Sequence, residues 1–183
     1  DGEVMHYHSS PNIFDQFEIS KERTKGTYIT GVFSHAEKER TRGQGYGDNV
    51  YKIAVELGKV GTMWPYSQAV KDINQAMEDK YLEILNRYKK HVPGWAEAEA
   101  KAFRESGYMD RFNGLEKREI WLAGGYDTVK DGNDYISLYP EAVRILEVNG
   151  KPAPPMREFF QSAQEPTLEA FVSQKQGVPV PKS

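Results

Sequence analysis

With 183 residues the chain is long enough for one domain, or one domain with an appendage, and for a core that needs no staples. Hydrophobic residues at 38% and charged residues at 28% mark a folded globular chain, and the absence of cysteine excludes disulfides, thiol chemistry and cysteine metal sites. The 24 basic residues against 27 acidic ones leave a formal charge of -3, which is not the whole-chain footprint of a nucleic-acid binder.

In chain order, residues 3–8 alternate loosely and predict a strand carrying His6 and His8 two positions apart, hence on one face. Ser9-Ser10-Pro11-Asn12 is a turn signal, and Phe14 and Phe17 are placed to pin the loop that follows. Residues 20–25 are polar and hold Lys21, Arg23 and Lys25. The stretch from Gly26 to Gly31 predicts a short strand with a glycine at each end. Ser34-His35-Ala36-Glu37 has the spacing of a capping box, with a short helix expected to about residue 42. The glycines at 43, 45 and 47 lack the following Gly-Lys-Ser/Thr of a nucleotide P-loop.

Residues 49–57 read as the clearest strand, half-buried, with Tyr51, Ile53, Val55 and Leu57 on one face. A loop is expected over 58–66. One long helix is expected over 67–91, striped by Val70, Ile73, Met77, Tyr81, Ile84, Leu85 and Tyr88. Pro93-Gly94 breaks it, and a second helix follows over 95–106. A short helix over 115–123 stops at Gly124-Gly125. Three strands follow at 126–129, 134–138 and 142–148, the first two joined by an Asp131-Gly132 turn of type I′. Asp127 is expected to cap a turn, and Glu119 to face solvent. Beyond Lys151-Pro152-Ala153-Pro154-Pro155, helices are expected near 155–163 and 166–175, then a frayed tail.

Taken together, Tyr7-His8-Ser9-Ser10-Pro11 with Phe14 and Phe17, Gly26-Thr27-Tyr28-Ile29-Thr30, Ala36 and Tyr46, and Val50-Tyr51-Lys52-Ile53-Ala54-Val55 resemble the front half of mono-ADP-ribosyltransferase domains. Gly125-Tyr126-Asp127-Thr128-Val129 and Tyr139-Pro140-Glu141-Ala142-Val143-Arg144-Ile145 resemble their back half. The resemblance covers about 4–57 and 118–147 and is closest to the diphtheria-toxin-like and PARP-like branch, whose signature is His, Tyr and a third acidic or polar residue. It implies an α+β fold, a split β-sandwich of two small antiparallel sheets with an inserted helical layer at about 67–106. The domain would occupy 1–149, followed by a C-terminal helical extension over 150–183.

The resemblance also implies roles. His8 takes the first signature position and meets NAD ribose; Ser9, or Ser10, sits where a small residue contacts the ribose. Gly26 and Thr27 lie where the backbone approaches the dinucleotide. Tyr28 matches the aromatic that stacks on nicotinamide, and Tyr46 the second aromatic of the pocket. Asp134 falls at the third position, where glutamate is commoner. His6 is structural or supports His8. Lys21, Arg23 and Lys25 either meet the pyrophosphate or form a solvated loop.

These residue types suit glycosidic cleavage. A carboxylate beside the ribose stabilises an oxocarbenium-like transition state, and aromatic rings hold the leaving nicotinamide. The implied activity is transfer of ADP-ribose from NAD, as substrate, to a macromolecular acceptor by a bacterial or phage effector or toxin. The acceptor is a protein, or else a nucleic acid, and a neutralising immunity protein is an expected partner. A catalytically silent binding module of the same fold and an NAD glycohydrolase are the alternatives. A metal hydrolase built on His6 and His8 is disfavoured because the other histidines lack ligand spacing. No run reaches the length of a membrane span and no signal peptide is visible. A cytoplasmic location, or delivery into a target cell's cytoplasm, is expected, with secretion left open. Asp1 in place of an initiator Met suggests a processed product or a piece of a longer protein.

Overall fold

The computed structural model describes residues 2–19, 28–38, 47–88, 93–109 and 111–153. Strands are β1 (Glu3–Ser10), β2 (Val32–Ser34), β3 (Asn49–Glu56), β4 (Val60–Thr62), β5 (Thr128–Asp131), β6 (Asp134–Ser137), β7 (Val143–Val148) and β8 (Lys151–Pro152). Helices are α1 (Tyr66–Asp72), α2 (Gln75–Arg87), α3 (Trp95–Ser106) and α4 (Gly114–Ala123). They build an α+β fold of two four-stranded sheets, ordered β1-β3-β7-β8 and β2-β6-β5-β4, with an inserted helical layer.

Two apolar layers hold this arrangement. Tyr51, Ile53, Val55 and Val143 of the first sheet pack with Val32 and Tyr135 of the second, and Phe14 and Phe17 close the end of that layer. Val129, Ile136 and Leu138 pack instead with Met77, Tyr81, Ile84, Leu85, Phe103, Ile120 and Trp121 of the helices. The alternation along β6 (Tyr135 to one layer, Ile136 to the other) is the two-residue period of a strand covered on both faces. Alternation on β3 is not half-buried as expected: Val50 and Ala54 are also covered, because β3 lies between β1 and β7.

Phe14 and Phe17 pin their loop as the sequence predicts. Phe14 stacks on Tyr51 at 4.6 Å between ring centroids, and Phe17 meets it edge-on. The buried Tyr51 hydroxyl donates to the Asn12 carbonyl at 2.7 Å and accepts from the Phe14 N–H at 3.0 Å. Tyr51→Phe strands both backbone groups while keeping the ring, so a loss of about 1–3 kcal/mol is expected in denaturant unfolding. A loss near zero would mean that water replaces the hydroxyl.

Several expectations are corrected. The predicted strand over 26–31 does not form at 28–31; the strand begins at Val32. Ser34 ends β2 and is fully buried, so it is not an N-cap. The expected loop over 58–66 contains β4, which pairs with β5 in parallel, so the second sheet is antiparallel except along that pair. The single helix over 67–91 is two helices. Ile73 turns extended, and the Asn74 side chain accepts from the Met77 N–H to start α2 anew. The apolar stripe runs through this break, so period alone hides it.

The strand expected at 126–129 spans 128–131, and its hairpin loop is Gly132-Asn133, with Asp131 opposite Asp134. Gly132 has φ 62° at the first loop position while Asn133 is not in the positive-φ region, the pattern of a type II′ turn in place of the expected I′. Finally, β8 pairs with β7 across Asn149-Gly150, so residues 151 and 152 belong to the first sheet. The helices expected near 155–163 and 166–175 and the tail lie outside the described residues.

Candidate functional site

The two sheets meet where β1 passes β2. Tyr7 and His35 exchange both backbone hydrogen bonds, N–H to O at 2.7 and 2.9 Å, and so tie the edge of the first sheet to the strand that β6 pairs with on its other side. The stretch Phe33–His35 therefore has β1 along one edge and β6 along the other. The described residues of the predicted signature converge on it.

His8, on β1, comes within 2.6 Å of the Phe33 carbonyl through Nδ1. A carbonyl only accepts, so Nδ1 carries the hydrogen, and Nε2 is the basic nitrogen of the neutral ring. Edge-on contacts with Phe17 at 4.9 Å and Tyr51 at 6.2 Å fix the ring plane. Tyr28 is 64% exposed, and its ring meets Phe33 edge-on at 6.0 Å. Asp134, the first residue of β6, places Oδ1 2.8 Å from His35 Nδ1, with side-chain exposures of 16% and 7%.

Side-chain alternation puts His35 and Asp134 on one face of this junction and Ser34 and Tyr135 on the other. His6 belongs with the second pair: its Nδ1 lies 3.1 Å from Ser34 Oγ, and its ring 5.2 Å from that of Tyr135. His8 shares the parity of His6. By this parity His8 and Asp134 lie on opposite faces of the junction, His8 on the Phe33 carbonyl and Asp134 on His35.

Ser9 alternates away from His8. It is buried, and its Oγ has no hydrogen-bond partner among the described residues. Ser10 shares the parity of His8, and its Oγ accepts from the Asn12 N–H at 3.1 Å. Gly47 closes against this end of β1. A Cβ there would fall 2.2 Å from Pro11 N and 2.3 Å from Ser10 C, so only glycine fits the approach. Gly26, Thr27 and Tyr46 lie outside the described residues, as do Lys21, Arg23 and Lys25. Asp127 accepts from the Lys59 N–H at 2.8 Å, in keeping with a turn-capping role. Glu119 pairs with Arg87 at 3.2 Å on the helical surface.

Sequence reasoning missed His35 and Ser34. The spacing Ser-x-x-Glu is equally that of a capping box, and nothing local reveals that β1 and β6 will claim both side chains. A cavity of about 370 Å³ lies elsewhere, lined by Tyr81, Glu99, Phe103, Tyr108 and Arg111 among others. No predicted site residue lines it.

Burial pushes the His6 imidazole below its ordinary value. The hydrogen bond to Ser34 and the nearby Asp134 charge act upward, and His35 adds to the lowering. A histidine lowered in the fold resists a proton that the unfolded chain accepts. Its share of stability is therefore intact above about pH 6.5, the ordinary value, and declines as pH falls from there to the lowered one. His6→Gln is expected to flatten that acid-side decline, measured as the denaturant midpoint at pH 7.5 and pH 5. An equal decline in both proteins would assign it to other groups.

No family model and no curated protein matches the chain. Among solved structures, the crystal structure of an anti-CRISPR protein is similar at 19% identity and a TM-score of 0.46, over 78% of this chain and 95% of that one. A likeness of that size carries nothing about function. Among the described residues, no helix is long and apolar enough to cross a membrane.

Proposed function

We propose that the chain is a mono-ADP-ribosyltransferase that uses NAD as substrate and acts on a macromolecular acceptor, with a protein as the expected acceptor. One observation carries this reading: His8, Tyr28 and Asp134 come from separate parts of the chain and all meet the single stretch Phe33–His35, at the split between two sheets. In the reaction, the bond between C1′ of the ribose and the nicotinamide nitrogen breaks. Nicotinamide leaves with the electron pair. The acceptor's nucleophile bonds to C1′ and gives up its proton.

Each residue has a chemistry that fits a part of this. The Asp134 carboxylate stabilises charge developing on the ribose. The exposed Tyr28 ring offers a stacking face to nicotinamide. His8, with its tautomer set by Phe33, presents Nε2 as an acceptor to a ribose hydroxyl. An extended dinucleotide does not require His8 and Asp134 to touch.

The test is nicotinamide release from NAD by the purified chain, alone and with cell lysate, beside label transfer from NAD labelled in its adenylate half. Release that requires lysate, with label on a macromolecule, supports transfer and identifies the acceptor. Release without any acceptor supports a glycohydrolase. The low exposure of Asp134 favours one further reading, a silent binding module of the same architecture. It would bind NAD, or a partner, without release. Absence of both binding and release removes the NAD reading.

A further inference from the structure

We propose that His35 is a positioning residue for Asp134: it holds the carboxylate at the junction of the two sheets in the orientation the reaction needs. This rests on the transferase reading above and extends it to a residue outside the predicted signature.

The geometry begins with the backbone. His35 is gripped on both its N–H and its carbonyl by Tyr7 of β1, so its Cα is located by the first sheet. Its side chain is 7% exposed and lies 2.8 Å from Asp134 on the neighbouring strand β6. Asp134 opens β6, directly after the Gly132-Asn133 turn, where a strand end alone constrains a side chain weakly. The acid's backbone is thus fixed by β6, and its carboxylate lies against a residue that follows β2 directly and whose backbone Tyr7 of β1 also holds.

The chemistry gives this contact a purpose. Aspartate has one methylene fewer than glutamate and so a shorter reach toward the ribose. A shorter side chain tolerates less error in its starting angle, and rate falls steeply with such misplacement. A nearly buried imidazole 2.8 Å from one carboxylate oxygen limits that error. The neighbouring pair repeats the pattern one residue back: Ser34 meets His6 across the same junction. The His6–Ser34 contact ties β1 to β2 on one face, and the His35–Asp134 contact ties the end of β2 to β6 on the other.

The contact atom dictates the test. Asn places its amide nitrogen close to where His carries Nδ1, so His35→Asn keeps a polar neighbour beside the Asp134 carboxylate, whereas His35→Leu removes it and keeps the bulk. In the full-length chain, His35→Leu is expected to lower kcat for nicotinamide release about 10–100-fold with KM for NAD within about threefold, the scale at which residues supporting a reactive group act. His35→Asn is expected to recover most of kcat. Asp134→Asn placed on His35→Leu should cost far less than on wild type, since two residues that act as one unit are not additive.

Wild-type kcat in His35→Leu overturns the proposal. So does an equal loss in the Leu and Asn variants together with a lowered melting temperature, which is the signature of a residue that only supports the fold. A wild-type chain that releases no nicotinamide overturns the transferase reading and this inference with it. That failure is seen before any variant is compared, and so is separate from the first two.

Discussion

Asp134→Asn is expected to lower nicotinamide release from NAD by about 10²–10³-fold, the range for removing one preorganised electrostatic partner of a developing charge. The substitution keeps size and strand position, removes the negative charge and turns one carboxylate oxygen into an amide NH2 donor. Asp134 sits on β6 opposite Asp131, and its backbone ladder does not depend on its side chain. The fold should therefore survive: the melting transition is expected to move by a few degrees, while kcat collapses and KM for NAD stays close to wild type. Steady-state release and calorimetric NAD binding on the same preparation separate the two effects. Release at the wild-type rate would remove Asp134 from the chemistry and leave its contact with His35 as a structural one.

The largest effect on stability is expected at Trp121. It is 1% exposed at the centre of the layer between the second sheet and the helices. Its ring meets Tyr126 edge-on at 5.2 Å, and it lies so close to β4 that a Cβ on Gly61 would come within 2.5 Å of it. Trp121→Ala opens a cavity among α4, β4 and the helical core, with an expected loss of about 3–5 kcal/mol. Against the roughly 5–15 kcal/mol available to a domain, that threatens folding at physiological temperature. Nε1 has no hydrogen-bond partner among the described residues, so the loss is one of packing. Trp121→Phe, which keeps most of the ring and removes an unsatisfied N–H, should cost much less. Denaturant unfolding of the two variants decides the matter: similar losses would show that the space of the full indole, which Phe does not fill, carries the effect.

How much of this was legible beforehand depends on the range of the interaction. The strand over 49–56 follows from alternating apolar residues. The helices over 95–106 and 114–123 follow from their period and from Gly107 and Gly124 at their ends. These are signals between near neighbours, and the chain carries them whole. The break at Ile73-Asn74 was present in the sequence as a good N-cap residue, but it sits inside an apolar stripe that continues through it, so the stronger signal masked the weaker one. The parallel strand Val60–Thr62 is three residues long and bears no pattern of its own; it exists because Lys59 and β5 offer it a ladder.

The candidate site divides in the same way. Residue types at His8, Tyr28 and Asp134 were readable, because the resemblance that singles them out is a matter of short motifs and their order. Their common meeting place was not. His8 on the Phe33 carbonyl, Tyr28 on the Phe33 ring and Asp134 on His35 are contacts between distant segments, and strand register sets them. Register follows from which faces are buried, and burial belongs to the whole fold. Ser34 and His35 show this most plainly. By sequence they open a helix; in the folded chain one is buried against His6 and the other against Asp134, because two sheets converge on the strand that bears them. Local period marked the strand over 49–56 and the helices over 95–106 and 114–123, and short motifs marked the residue types of the candidate site. Only the tertiary structure decided which side chains stand together, since side chains this far apart in the chain meet only when strand pairing offsets the entropy of closing the loops between them.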